Sequence, residues 1–149
     1  MNVPKLNQDL KILLALFSQD KVTWRTDAGD MFVILKELRL PENIRPAVTA
    51  IKIPIPANLY DPAGRDQFHY YQNVFVDPGL KVRYPNGSWG QIPRHHDAPL
   101  RSNNDDGWRF LCLYPKGQVN GRTNISYFVR LVQVWFKNCL ELNPRGGWI

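Results

Sequence analysis

The stretch Ala47-Val-Thr-Ala-Ile-Lys-Ile-Pro-Ile55 predicts a strand, because Val48, Ala50, Ile51 and Ile53 carry an apolar pattern over a strand's length. Pro54 and Pro56 end it, since proline cannot donate to a ladder. Ahead of it, residues 31–40 form another apolar run that predicts a strand, broken by Pro41-Glu-Asn. After it, the turn Asp61-Pro-Ala-Gly leads into an aromatic-rich strand over residues 68–76. Asp77-Pro-Gly then introduces the short piece 80–84, and Pro85-Asn-Gly closes it. Strands joined in succession by short turns pair as an antiparallel meander, here four-stranded.

Helices flank this meander. Leu6, Leu10, Leu13, Leu14 and Phe17 recur at helical spacing behind a capping Asn2 and a first-turn Pro4, and Ser18-Gln-Asp-Lys ends the run. Trp24 and the turn Asp27-Ala-Gly-Asp30 link this helix to the first strand. At the other end, Phe128, Leu131, Val132, Trp135, Cys139 and Leu142 form one apolar stripe. Asn124 or Ser126 caps that helix, and Asn143-Pro144 stops it. Between the strands and this helix, residues 88–106 read as a long irregular loop, of the kind that is functional or mobile in a compact domain. Residues 107–114 read as a short buried segment, and residues 116–124 as another polar loop. The class is α+β, with one domain over residues 1–149.

Composition narrows the function. The chain has 149 residues, 44% of them hydrophobic, 12% aromatic and 21% charged, which suits one packed domain and excludes a disordered chain. No run approaches the ~18 apolar residues of a membrane span. The N-terminal apolar patch is interrupted by polar residues and lacks a small-residue cleavage site, so a soluble cytoplasmic domain is expected. Lys and Arg number 19 against 13 Asp and Glu, for a net charge of +6. A basic balance suits nucleic acid and equally an acidic protein partner, but the cations are dispersed with no run of five, so nucleic acid is not expected. The two cysteines, Cys112 and Cys139, do not make a disulfide framework.

Cys139 lies on the last helix's apolar stripe and reads as a small buried hydrophobe. Cys112 follows a long polar loop and precedes Leu113-Tyr114-Pro115, at an element boundary where a thiol is either accessible for chemistry or simply buried. His95 or His96 would complete a Cys-His hydrolase with Cys112. Against that, a thiol protease places its cysteine beside Gly or Trp at a helix N-terminus. His95, His96, Asp97 and Cys112 match no metal-ligand spacing, so neither metal nor cofactor is expected. Asn103-Asn-Asp-Asp-Gly107 is also a good solvated turn. Arg145-Gly-Gly-Trp-Ile149 is similar to the diglycine end of a ubiquitin-like protein, but it follows a helix and reads as a helix stop.

The order of these elements resembles that of the ubiquitin-conjugating enzymes, the UBC fold. Two local stretches carry the likeness. Ile51-Lys-Ile-Pro-Ile-Pro-Ala-Asn-Leu-Tyr60 stands where that family has a strand ending in a proline- and tyrosine-bearing turn. Gly107-Trp-Arg-Phe-Leu-Cys-Leu113 looks like a lengthened form of the family's Gly-x-x-Cys-Leu stretch. The resemblance implies an N-terminal helix, a four-stranded antiparallel meander, an active-site loop and a C-terminal helix. The family's His-Pro-Asn tripeptide is missing. Arg94-His95-His96-Asp97 falls upstream of its place, and Asn104 precedes Cys112 by the eight residues that separate the family's asparagine from its cysteine. The single C-terminal helix is similar to shortened bacterial members, encoded beside ubiquitin-like proteins, activating enzymes and JAB-type peptidases, some of them in antiphage operons.

What the resemblance implies is a conjugating enzyme. Cys112 would accept a ubiquitin-like protein as a thioester from an activating enzyme and pass it to an amine of a protein target. Asn104 or His96 would take the place of the family's polar element, and Asp105 or Asp106 would orient or deprotonate the incoming amine. Lys5 and Lys11 would face the activating enzyme from the first helix. The alternatives are a UBC-like binding module without catalysis, and a small cysteine hydrolase.

Overall fold

The computed structural model describes residues 3–27, 30–56, 59, 71–97, 107–113 and 123–142. Helix α1 (Val3–Leu16) buries Leu6, Leu10 and Leu13 along one stripe. Its Lys11 is exposed and its half-buried Lys5 reaches the buried Asp9 carboxylate at 3.7 Å, one turn on. A 3-10 turn (Gln19–Lys21) follows, and then β1 (Val22–Asp27) pairs antiparallel with β2 (Asp30–Arg39). The linker expected around Trp24 is therefore a strand. Val22 lies opposite Leu35 and Trp24 opposite Val33, yet Trp24 is half-exposed because β1 is the sheet's edge.

Strand β4 (Val48–Pro54) lies beside β2 and reproduces the strand expected over residues 47–55 to within one residue at each end. Val33 pairs with Ile53 and Leu35 with Ile51, all four fully buried. Strict alternation would then turn Leu38 outward. An irregularity between Leu35 and Leu38 shifts the register by one residue, so that Leu38 pairs with Thr49 and is also fully buried. Lys36 and Glu37, at the irregularity, are exposed.

The expected four-stranded meander is corrected to two sheets. The first has the order β1-β2-β4-β5-β8, with β5 (Asn73–Val76) and β8 (Arg109–Cys112) completing it, and every neighbouring pair is antiparallel. The second has the order β3-β6-β7, made of β3 (Ile44–Arg45), β6 (Lys81–Arg83) and β7 (Trp89–Gln91). The piece expected at 80–84 joins this small sheet, because the edge of β5 is taken by β8. The Asp77 carboxylate accepts the Gly79 N–H at 2.7 Å, fixing the turn that leads the chain away. The loop expected over residues 88–106 contains β7 and a 3-10 turn (Arg94–His96).

Helix α2 (Ile125–Asn138) starts at Asn124, whose side chain accepts the Tyr127 N–H at 2.8 Å. Phe128, Val132, Trp135 and Phe136 join Leu6, Leu10 and Leu13 of α1, the inward residues of β2, β4, β5 and β8, and Ile44 and Val82 of the small sheet in one apolar core. The described residues form an α+β fold with two α-helices against antiparallel sheets. No helix among the described residues is long and apolar enough to cross a membrane.

Candidate functional site

Strand β8 alternates between two environments. Arg109 and Leu111 are buried toward the core, whereas Phe110 and Cys112 are half-buried on the opposite face. Across from them on β5, Val74 pairs with Leu111, Phe75 with Phe110, and Asn73 with Cys112. The Leu113 N–H donates to the Gln72 carbonyl at 2.9 Å, which makes residues 72 and 113 a hydrogen-bonded pair. The next pair, Asn73 and Cys112, is then of the non-hydrogen-bonded type, in which opposed side chains stand closest, with Cβ atoms ~5 Å apart. A thiol and a side-chain amide thus share one half-buried position at the end of the strand. Among the described residues no hydrogen bond holds the Asn73 amide.

An aromatic and cationic row lies beside this pair on the same face. Phe75 stacks against Phe110 with ring centres 4.4 Å apart and meets Phe32 edge-on at 6.0 Å. Lys52, opposite Phe75 in the register, places its Nζ 4.5 Å from the Phe75 ring centre, 4.6 Å from Phe32 and 5.8 Å from Trp108. The rings cover a lysine that is only 5% exposed. This packed row forms the floor next to Cys112.

The histidine turn is fastened alongside β8 by a bridge between Asp97 and Leu111. Arg109 supports that bridge. It is buried, donates from Nε to Asp97 Oδ1 at 2.6 Å, and donates from Nη2 to the carbonyls of Ile92 and Pro93 at 2.9 and 3.1 Å. His96 is 1% exposed, and its Nε2 lies 2.8 Å from the Cys139 carbonyl. A carbonyl only accepts, so Nε2 carries the proton and is not available as a base. The ring also meets Trp135 edge-on at 4.8 Å, and burial holds the imidazole below its ordinary pKa. His96 therefore ties the loop to the end of α2, a structural task where sequence reasoning placed a catalytic candidate. Its neighbour His95 has Nε2 3.4 Å from the Leu142 carbonyl, at the same helix end.

Cys139 is fully buried, and burial pushes its thiol up to about 12, in keeping with a core residue. Asn104, Asp105 and Asp106 lie outside the described residues. Lys5 and Lys11 are on α1, apart from the strands that carry Cys112. No group of three or more His, Cys, Asp or Glu residues among the described ones is arranged to hold a metal ion.

Asn73 and Arg109 are the residues that sequence reasoning missed, and it weighs Asp97 only as a metal ligand. Asn73 merely opens an aromatic strand, and nothing local announces that its partner is Cys112. Comparison with family models, curated proteins and solved structures finds no match to this chain.

Proposed function

We propose that this chain is a UBC-like conjugating enzyme that carries a ubiquitin-like protein on Cys112. The observation that supports this reading most is the pairing of Cys112 with Asn73 on a half-buried face at the end of β8. The element order adds to it, with a helix, antiparallel strands, a cysteine closing the last strand, and a helix. A small cysteine hydrolase is disfavoured, because the Nε2 atoms of His95 and His96 lie against the Leu142 and Cys139 carbonyls at the end of α2, and neither imidazole forms a hydrogen bond with Cys112.

In the proposed reaction the Cys112 thiolate attacks the carbonyl carbon of a thioester held on an activating enzyme. A new C–S bond forms, and the activating enzyme's cysteine leaves as thiolate. A target amine then attacks the same carbonyl, the C–N bond forms, Cys112 leaves as thiolate, and the amine's extra proton passes to solvent. Each step develops a negative oxygen. A side-chain N–H of Asn73, across the strand pair, is in reach to donate to it, and such a donor is worth ~10²–10³ in rate. A thioester is already activated, so no Cys-His base pair is needed.

The test mixes the chain with ATP, a ubiquitin-like protein and its activating enzyme, and reads adducts on non-reducing gels. A thiol-sensitive adduct is expected from the wild type and from Cys139→Ala, and none from Cys112→Ala. Asn73→Ala is expected to form the adduct but discharge it to a free amine ~10²-fold more slowly. Binding of the ubiquitin-like protein without any adduct would make the chain a binding module and overturn the proposal.

A further inference from the structure

The small sheet presents a face unrelated to Cys112. Ile44 and Val82 point into the core, while Arg45, Arg83 and Gln91 are exposed on the opposite face, with Lys81 and Trp89 half-buried among them. Arg45 lies directly across from Lys81, and Arg83 directly across from Trp89. The Arg45 guanidinium stacks 3.9 Å from the Trp89 ring centre, and that of Arg83 approaches to 5.9 Å. Like charges in directly opposed positions destabilise a strand pair. The stack on Trp89 offsets part of that cost, but no described carboxylate forms an ion pair with Arg45, Lys81 or Arg83. Asp97, in the turn after β7, is already engaged by Arg94 and Arg109. Next to Arg83, a groove of about 610 Å³ opens toward the end of α2, with Lys137 and Glu141 on its wall.

We propose that this face docks an acidic segment of a partner protein, whose carboxylates pair with Arg45, Lys81 and Arg83. An acidic occupant supplies the counter-charge that the opposed cations lack, in a chain of net charge +6. The stack of Arg45 on Trp89 holds one guanidinium in a fixed pose, with its edge donors available for bidentate pairing with a carboxylate. Nucleic acid fits the face less well. Single strands bind by stacking bases on open aromatic rings, and the Trp89 ring is covered by Arg45. Tyr84 is committed too, with its hydroxyl donating to the Gln91 carbonyl at 2.6 Å and its ring close against Gly90. Strands of two or three residues also give too short a track to follow a phosphate backbone.

A fluorescein-labelled oligoglutamate peptide, titrated against the full chain by polarisation, tests this. A single-stranded oligodeoxynucleotide of equal charge runs in parallel. Saturable peptide binding is expected, weakened by salt and weakened about tenfold in Arg45→Glu/Arg83→Glu. Arg45→Lys/Arg83→Lys, which keeps the charge but loses the planar fork, should bind between wild type and the reversed pair, and Lys36→Glu on the other sheet should leave binding unchanged. Thermal melts report whether the reversed pair folds, and Lys81→Glu alone provides a second reading of the same loss. The proposal fails if no saturable peptide binding occurs, or if Lys36→Glu weakens binding as much as the reversed pair. It fails equally if the oligonucleotide binds more tightly and is the ligand those variants lose.

Discussion

Arg109 is buried with three acceptors around its guanidinium, and only one of them, Asp97, carries charge. Removing that carboxylate leaves a buried cation without its counter-ion, a far costlier defect than losing a surface pair. Asp97→Ala is expected to lower the unfolding free energy by about 3 kcal/mol in urea denaturation. Arg94→Ala, which deletes the exposed partner of the same Asp97 at 3.4 Å and an exposed hydrogen bond to Gln91, should cost under about 0.5 kcal/mol. His96 gives a pH signature. Burial lowers its folded-state pKa from 6.5, so both states are neutral above that value and stability is then complete. As pH falls beneath 6.5 the unfolded chain binds a proton before the folded one does, and stability declines. Denaturation curves measured down to about pH 5 should show this slope in the wild type and a shallower one in His96→Gln. An unchanged slope would move the pH dependence to other groups.

At the scale of elements, the two helices and the middle strands were legible because their patterns are local. The stripe from Phe128 to Phe136 repeats with the helical period and Asn124 caps it as the sequence suggests, although the helix ends at Asn138, short of the expected stop at Asn143-Pro144. Asn124→Ala should cost about 1 kcal/mol, measured as a shift in the denaturation midpoint without a change in slope. The strand at 47–55 was legible for a similar reason, with β-branched residues running up to a proline. Strands β1, β3, β7 and β8 were not identified as strands. Val22–Asp27 is an edge strand with one open side, so its alternation is weak, and Trp24 on it is half-exposed. Trp89–Gln91 has three residues, too few to establish a period. The irregularity that keeps both Leu35 and Leu38 inside also breaks a strict alternation of two. A straight reading of residues 31–40 does not reveal it.

For the whole molecule, the two sheets are expected to unfold as one cooperative unit, since Ile44 and Val82 of the small sheet share a core with α1, α2 and the large sheet. Val82 is fully buried, and Val82→Ala should cost about 2 kcal/mol from lost burial and the cavity left behind. The loss should appear equally by tryptophan fluorescence and by circular dichroism. Separate transitions by the two probes would mean that the small sheet melts alone. Residue order alone determined the α+β class, the two helices with their buried stripes, the burial of Cys139, and the place of Cys112 at the end of a short segment. Those features depend on periodicity and punctuation within about fifteen residues, which local backbone geometry reads directly. Only the tertiary structure decided that β8 pairs with β5, that Asn73 faces Cys112, that Arg109 clamps Asp97, and that His96 serves the end of α2. Arg109 and Asp97 are 12 residues apart, but the other partners lie far apart in the chain, and they meet because burying the inward faces of the strands leaves one register in which every core residue finds the core.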